Sequence, residues 1–351
     1  MKPNVERIVL RENFNISRVV KGSWQLASDH SGVGSEAAIE DMFAFVDSGI
    51  NTFDCGDVYA GVEELIGKFI KERKRRNGHA DDVKVLTKYI PDFSELATLD
   101  KQDIGLVIDR SLKRLNIEKL SMVQLGWWSY ESERYLETME WLSEFKDEGK
   151  IEQIGLANFN TETTQKVLNT GVDVVTAQEQ YSILDNRAEK TYVNLCLENN
   201  ISLLCYGTVA GGFLSEKWLG RPEPVEPYEN RSLRKYKLII NDIGGWELFQ
   251  EILKVLKAIA DKHSVSITNV ATRYILERPA VAAPLIGARN LDHLDDNLRV
   301  FSFELDNDDY RILNTILDQK TPLVGDVWDL ERDKDGRHGS IMKWELHSEQ
   351  D

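Results

Sequence analysis

Eight short apolar runs, each followed by a stretch with helical periodicity, limit the fold of this chain more than any other feature. Between the runs, apolar residues recur every three or four positions, as at Ile104, Ile108 and Leu112, which is typical of an amphipathic helix. Repeated strand–helix units without a flexible linker predict an α/β fold, a single (β/α)8 barrel. The eight runs are residues 19–24, 50–54, 83–88, 122–125, 151–158, 173–178, 201–206 and 281–287.

The chain of 351 residues is longer than the roughly 250 residues of a typical barrel, so a surplus lies outside the eight units. We expect it in an N-terminal hairpin at residues 6–18, a long loop at 211–245 after the seventh strand, and a tail at 319–351. One domain, residues 1–351 with a core of about 19–318, is expected. A doubly wound open sheet is the alternative, but no glycine-rich dinucleotide-binding motif follows the first strand.

Charge and composition exclude several classes of function. With 43 basic and 59 acidic residues the net charge is −16, which argues against nucleic acid because phosphates are met by a basic face. The basic run at residues 71–76 is expected to be the solvated end of a helix. No apolar run is long enough to cross a membrane and no secretory leader is visible, so we expect a cytoplasmic protein. Three scattered cysteines predict buried thiols and no metal site: Cys55, Cys196 and Cys205.

The residues that end the apolar runs are candidate site residues, because the carboxyl ends of barrel strands carry the chemistry of such folds. Several polar and aromatic groups meeting at one rim favour an active site over a structural role. After the fourth run, Gly126 is followed by two tryptophans, Trp127 and Trp128, and a pair of indoles beside a glycine indicates the wall of a binding site. The strand-end residues are Trp24, Asp54, Lys88, Gly126, Asn158, Gln178, Tyr206 and the segment 287–290.

The motifs at these ends resemble the aldo-keto reductase family. "NTFDCGDVYAGVEELIG" is similar to the family signature, in which a tyrosine, here Tyr59, follows five residues after an aspartate, here Asp54. "VLTKY" supplies Lys88 and "GKIEQIGLANFN" supplies Asn158. "AQEQYSILD", "LLCYGTVAGGFLSEKW" and "IGARNLDHLDDN" follow in the family order, and the resemblance runs from residue 19 to about residue 318. It implies an oxidoreductase that transfers hydride between a nicotinamide cofactor and an aldehyde, a ketone or the corresponding alcohol.

The resemblance implies that Asp54, Tyr59 and Lys88 are the catalytic residues. Negative charge grows on the carbonyl oxygen as hydride arrives, so a positioned acid must supply a proton. Tyr59 would be that acid, Lys88 would lower its pKa, and Asp54 would hold the ammonium in place. The alternative for Asp54 and Lys88 is a buried structural ion pair.

The resemblance also implies how the cofactor is held. Tyr206 would stack on the nicotinamide, Asn158 and Gln178 would hold its carboxamide, and the backbone of residues 207–217 would follow the pyrophosphate. Arg289 favours NADPH over NADH, because arginine is the better partner of a 2′-phosphate. Further cofactor contacts are expected from Ser23, Trp24, Asp54, Gly207, Val209, Ser215, Lys217, Gly287, His293 and Asn297.

Three positions depart from the family pattern. Ala157 and Gly207 stand where serines are usual, and Gly126 stands where the fourth strand usually ends in a histidine. None of the histidines at 30, 79, 263, 338 and 347 is an obvious substitute, and each is expected at the surface.

Three interpretations of Gly126 stay open. Tyr59 and Lys88 could suffice, with water or the Trp127 N–H as the second donor. The missing imidazole could instead admit a bulky substrate or a different reaction. In the third interpretation the chain binds NADPH but turns over poorly, as a sensor or partner-binding subunit. Substrate contacts are expected from Trp24, Gly126, Trp127 and Trp128. Trp328 and Trp344 in the tail either cover the pocket or anchor packing, and the sequence leaves the substrate, the direction of reaction and the oligomeric state open.

Overall fold

A two-stranded antiparallel hairpin precedes the main sheet in the computed structural model, which describes residues 4–27 and 35–347. Strands β1 (Arg7–Arg11) and β2 (Phe14–Ser17) form it, with Ile8 opposite Ile16. Phe14 and Ile16 are fully buried and join an apolar cluster that also contains Leu86 and Met122 of the barrel strands. The predicted hairpin at residues 6–18 is confirmed, and it packs against apolar residues inside the barrel.

Eight parallel strands close into a barrel, which confirms the predicted (β/α)8 fold and excludes the open sheet. Closure is made by the last strand, which pairs with both its predecessor and the first barrel strand, for example through Leu285 opposite Val20. The strands are β3 (Val20–Gly22), β4 (Thr52–Asp54), β5 (Lys84–Tyr89), β6 (Leu120–Gly126), β7 (Ile151–Ala157), β8 (Val174–Gln180), β9 (Ser202–Tyr206) and β10 (Val281–Gly287).

Helices surround the barrel, and their ends carry local signals. Asp100 forms a capping box with Asp103 at the start of the third helix, and Gly149 follows the fourth with a φ of 85°. In the described part of the chain, no helix is both long and apolar enough to span a membrane. The helices are α1 (Ser35–Asp47), α2 (Val62–Asn77), α3 (Lys101–Leu115), α4 (Tyr135–Asp147), α5 (Thr161–Asn169), α6 (Tyr192–Glu198), α7 (Arg231–Asp242), α8 (Gly245–His263), α9 (Ile267–Leu276), α10 (Leu294–Leu298), α11 (Asn307–Leu317) and α12 (Asp329–Arg332).

The segment 211–245 was predicted as a loop and instead contains α7. The Asn230 side chain caps this helix by accepting from the Leu233 N–H, and Leu233, Tyr236 and Ile240 lie buried on one face. Its spacing of apolar residues is helical, but the lysines and arginines between them hide the pattern. This helix matters for function because its first turns face the rim of the barrel.

The basic run at residues 71–76 ends α2, and the prediction of a solvated helix end is wrong for one residue. Arg75 and Arg76 are solvent-facing and pair with Glu72, but Arg73 is 5% exposed and pairs with Asp82. The three cysteines are buried and free, as predicted.

The tail crosses the carboxyl-end rim of the barrel and is fixed there by buried charge. Arg187, in the loop after β8, donates to Asp185 and to both carboxylate oxygens of Glu331, and all three side chains are at most 1% exposed. Lys190 and Lys320 add hydrogen bonds between side chain and backbone across the same junction. Breaking a buried ion pair by removing one partner is strongly destabilising, so the tail is an integral part of the rim.

Candidate active site

A cavity of about 410 Å³ opens at the carboxyl-end rim, where the strand ends, the start of α7 and the tail meet. This volume lies in the range of small-molecule sites. Eleven of the residues predicted for the site line it: Trp24, Asp54, Tyr59, Lys88, Trp128, Asn158, Gln178, Tyr206, Gly207, Val209 and Gly287. The rim of the barrel therefore brings together most of the predicted catalytic and cofactor residues.

Asp54 and Lys88 form a buried ion pair at the ends of β4 and β5. The Lys88 Nζ donates to both carboxylate oxygens of Asp54 at 2.7 Å and to the Cys55 carbonyl at 2.8 Å. The two side chains are 3% and 4% exposed. Burial alone would lower the pKa of Lys88, but the Asp54 carboxylate and Tyr59 outweigh it and raise that pKa above its ordinary value. Lys88 is therefore a fixed cation.

Tyr59 lies beside this cation, between Lys88 and Trp24. The Lys88 Nζ is 5.0 Å from the centre of the Tyr59 ring, and the Trp24 ring meets the Tyr59 ring edge-on at 4.9 Å. Lys88 lowers the pKa of Tyr59, as predicted, but the net shift of that pKa is upward. Burial raises that pKa by more than Lys88 lowers it, and Asp54 adds to the rise. Tyr59 therefore keeps its proton at neutral pH.

The amide residues predicted to hold a carboxamide are linked to the same ion pair. The Gln178 Nε2 donates to Asp54 Oδ1 at 2.7 Å and to Gln124 Oε1 at 3.2 Å. The Tyr206 hydroxyl donates to Asn158 Oδ1 at 2.8 Å. Asn158 has a φ of 63°, a left-handed conformation that asparagine tolerates better than most residues. Gln124 was not predicted as a site residue. A glutamine within an apolar strand could have indicated it, because a buried side-chain amide needs hydrogen-bond partners.

Gly126, predicted as a substrate contact, does not line the cavity, and the absence of a side chain there leaves no open space. A Cβ built on it would lie 3.0 Å from Ile90 Cγ1, and Ile90 lines the cavity. The Ile90 N–H is itself held by Asp57 Oδ1 at 3.3 Å. The room that a larger residue at the end of β6 would need is thus filled by the isoleucine that follows β5.

The two tryptophans after Gly126 have different roles. Trp128 lines the cavity and donates its N–H to the Pro91 carbonyl at 2.8 Å. Trp127 is 2% exposed, does not line the cavity, and donates its N–H to the Ser132 carbonyl at 3.0 Å. Trp127 was predicted to contact the substrate and, in one interpretation, to donate a hydrogen bond to it. The structure does not agree with either prediction.

The other predicted cofactor residues lie outside the cavity. Ser23 is buried beneath the rim, Ser215 donates to the Gly212 carbonyl at 2.7 Å, and Lys217 pairs with Glu229 at 3.0 Å. On the segment after β10, Arg289 and His293 are exposed and Asn297 is buried. Within the described residues, Arg289 makes no hydrogen bond or ion pair.

The tail supplies part of the cavity wall. Its two tryptophans were expected either to cover the pocket or to anchor packing, and each does one of these. Trp328 lines the cavity, and its N–H donates to the Tyr206 hydroxyl. Its φ of 61° is rare for a large side chain and marks a strained position held by the surrounding contacts. Trp344 is a packing anchor, with its ring 5.2 Å from Trp128 and 5.8 Å from Phe93.

The prediction of a surface position is wrong for three histidines, His263, His338 and His347. His263 is 16% exposed and its Nε2 lies 2.7 Å from Asp309 Oδ2. His338 is 3% exposed and meets Asp242 at 2.6 Å. The His347 Nε2 lies 3.1 Å from Asp57 Oδ2 and 3.2 Å from the Ile90 carbonyl oxygen, which fastens the tail to the loop that carries Ile90. Asp57 raises the pKa of His347 although burial opposes it. Residue 30 lies outside the described residues, and neither His338 nor His347 lines the cavity.

Comparison with known proteins identifies the class. The family described as "Aldo/keto reductase family" matches residues 18–318, and the chain belongs to this family. It is 26% identical over 308 residues to aldo-keto reductase YhdN of Bacillus subtilis (strain 168), covering 86% of this chain and 90% of that protein. It is 29% identical over 280 residues to the chloroplastic pyridoxal reductase of Arabidopsis thaliana, covering 75% of this chain and 72% of that protein.

A solved structure shows the same fold. The glycerol dehydrogenase AKR11B4 from Gluconobacter oxydans aligns with a TM-score of 0.75 at 21% identity, over 93% of this chain and 98% of that one. Members of the family are oxidoreductases that act on small carbonyl compounds or alcohols with nicotinamide cofactors. The protein is therefore an oxidoreductase enzyme of the aldo/keto reductase family.

Proposed function

We propose that the protein is an NADPH-dependent carbonyl reductase in which Tyr59 is the general acid. The observation that carries the proposal is the buried Asp54–Lys88 pair with Tyr59 beside it, all three at one cavity. A structural ion pair alone would not account for a partly buried tyrosine between this cation and an indole at a cavity wall.

The residues present fit a nicotinamide dinucleotide. A carboxamide needs both a donor and an acceptor, and the side-chain amides of Asn158 and Gln178 supply both at the cavity wall. The Tyr206 ring offers an apolar face beside them. Gly207, in the loop proposed to follow the pyrophosphate, has a φ of 75° and packs so closely on Tyr236 that a side chain would collide, so this position requires glycine. Arg289, which has no partner among the described residues, suits the 2′-phosphate of NADPH.

In the proposed mechanism, Tyr59, Lys88 and Asp54 each have one role. The cofactor supplies the hydride when bound. Tyr59 donates its hydroxyl proton to the carbonyl oxygen, because that oxygen gains negative charge as the carbon is reduced. Lys88 lies close enough to stabilise the resulting phenolate, and Asp54 holds Lys88 in position through two hydrogen bonds of 2.7 Å. The reverse reaction, alcohol oxidation, uses Tyr59 as the base.

The raised pKa of Tyr59 predicts the pH dependence of both directions. Reduction needs the protonated hydroxyl, so kcat/KM for a neutral aldehyde should stay level from about pH 6 to 9 and fall only above the ordinary tyrosine pKa of about 10. Oxidation needs the phenolate, so its kcat/KM should rise with pH across the same range. Initial rates in both directions check this. A reduction profile that falls between about pH 6 and 7 would point to an acid of the histidine type and contradict the proposal.

Arg289→Ala should weaken NADPH binding and leave NADH binding nearly unchanged, because only NADPH carries the 2′-phosphate. Losing a charge-assisted contact costs about 1.5–3 kcal/mol, roughly a tenfold or greater rise in Kd. Quenching of tryptophan fluorescence measures both affinities. Arg311→Ala is the matched control, since that arginine is 69% exposed and pairs with Asp308. Equal weakening of both cofactors, or of neither, would show that Arg289 does not read the phosphate.

A further inference from the structure

A lysine from α7 reaches the same cavity as the Asp54–Lys88 pair. Lys235 lines the cavity with a side chain that is 14% exposed. Its Nζ lies 5.2 Å from the centre of the Tyr206 ring, 5.4 Å from that of Trp328 and 5.8 Å from that of Tyr236. Aromatic faces attract a cation but accept no conventional hydrogen bond, so this cage leaves the donors of the ammonium unused.

The nearest carboxylate does not satisfy Lys235. Glu331 Oε1 is 4.0 Å from the Lys235 Nζ, beyond hydrogen-bond distance, and the same carboxylate accepts two hydrogen bonds of 3.0 Å from Arg187. In the part of the chain that the structure describes, no acceptor lies within hydrogen-bond distance of this Nζ. Burial lowers the pKa of Lys235, while Glu331 and Asp185 oppose that shift and Arg187 adds to it. An anion in the cavity would supply the missing acceptor and favour the charged form.

Lys235 is separate from Arg289, the group proposed for the 2′-phosphate, although Tyr236, a wall of its cage, also packs on Gly207 of the loop proposed to follow the pyrophosphate. Trp328, one wall of its cage, packs 6.1 Å from Trp128, which follows the strand end at Gly126. Tyr206, another wall, is the residue proposed to lie under the nicotinamide, where the carbonyl is reduced. Arg289 is on a different segment and outside the cavity. Lys235 thus belongs to the aromatic end of the site.

We propose that Lys235 binds a carboxylate on the substrate, so that the enzyme prefers carbonyl compounds carrying a negative charge. The inference rests on the proposed reductase function and adds the substrate class. A protein with a net charge of −16 repels anions in general, which makes a local cation necessary for such a substrate. The flat rings of Trp24, Trp128 and Trp328 around the cavity suit a planar, acidic carbonyl compound.

The test compares two flat aldehydes of similar size, 4-formylbenzoate and the neutral 4-nitrobenzaldehyde. For wild type, kcat/KM is measured for both with NADPH, and the ratio of the two values is the preference for charge. Lys235→Met should lower this ratio by about 10- to 100-fold, the usual worth of a hydrogen bond to a charged group. Lys235→Gln, closer in polarity to lysine, should lower it similarly and guards against a folding defect of the methionine variant. Lys254→Met, which removes an equal charge from an exposed position on α8, should leave the ratio within about threefold.

Binding to the NADP⁺ complex, where neither aldehyde can be reduced, gives a second readout by calorimetry. Weaker binding of 4-formylbenzoate relative to 4-nitrobenzaldehyde in both lysine variants supports the inference even if wild type reduces neither compound. If wild type binds the aldehydes but reduces neither, the proposed reductase function is contradicted and the proposed carboxylate site is not. Equal losses for the two aldehydes would mean that Lys235 only supports the fold of the wall. A rise in the Kd of NADPH with an unchanged ratio would mean that it serves the cofactor. Either result overturns the inference.

Discussion

Tyr59→Phe should lose at least about 10²-fold in turnover of aldehydes, the lower range for general acid catalysis. The substitution removes the hydroxyl that donates the proton and keeps the ring that packs edge-on against Trp24 at 4.9 Å. The wall of the cavity and the Asp54–Lys88 pair should therefore persist. NADPH affinity should change little, because the residues proposed to hold the cofactor lie on other strand ends.

The measurement is the steady-state rate of NADPH oxidation together with the Kd of NADPH. Tyr310→Phe is the control, since Tyr310 lies on α11 and donates its hydroxyl to Glu277 away from the cavity. Turnover of Tyr59→Phe within a few-fold of wild type would show that another group donates the proton. A parallel loss of NADPH binding would show that the tyrosine is structural.

Gly126→His tests what the glycine at the end of β6 is for, and the structure changes the expected result. The backbone at Gly126 is not in the left-handed region, so a side chain is allowed there, but its Cβ would meet Ile90 Cγ1 at 3.0 Å. Overpacking of this kind typically costs about 1–3 kcal/mol. The single variant should be less stable and gain little activity.

The double variant Gly126→His with Ile90→Ala should behave differently. With the isoleucine shortened, an imidazole can point at the carbonyl oxygen beside Tyr59, and one added preorganised donor can raise kcat/KM of a small aldehyde by up to about 10²-fold. A bulky substrate should lose activity in the same protein because the histidine narrows the cavity. Ile90→Ala alone is the control and should bring no such gain. Unchanged kinetics with small and bulky aldehydes in all three variants would show that this strand end does not face the reaction.

The barrel could be predicted because its signals are local. Apolar runs mark each strand, and Gly149 after α4 marks where a helix ends. The strand ends then follow from the fold, so Asp54, Lys88 and Gln178 could be placed together before any coordinates were known. The single-domain organisation of residues 1–351 stays a prediction, as do the roles given to the individual site residues.

The features of the site that could not be predicted depend on contacts between segments that are far apart in the sequence. Ile90 follows β5 and fills space beside Gly126 on β6, and no local pattern connects the two. His338 reads as a surface residue because its partner, Asp242, is 96 positions away. Lys235 appears in a charged stretch that suggests a loop, and only the fold of α7 and the tail puts it in an aromatic cage. The raised pKa of Tyr59 likewise comes from burial, and Trp24, which packs against the Tyr59 ring, lies outside the motif.

The central claim, that this chain reduces carbonyl compounds with NADPH by proton donation from Tyr59, is tested most directly with cofactor deuterated at the transferred position. The wild-type protein is incubated with deuterated NADPH and 4-nitrobenzaldehyde, and the alcohol is analysed by mass spectrometry. We predict one deuterium in each alcohol formed, in amounts equal to the NADPH consumed, with formation at least about 10²-fold slower in Tyr59→Phe. Tight NADPH binding with no deuterated alcohol from this or any other aldehyde or ketone tried would contradict the claim and indicate a protein that senses the cofactor without using it.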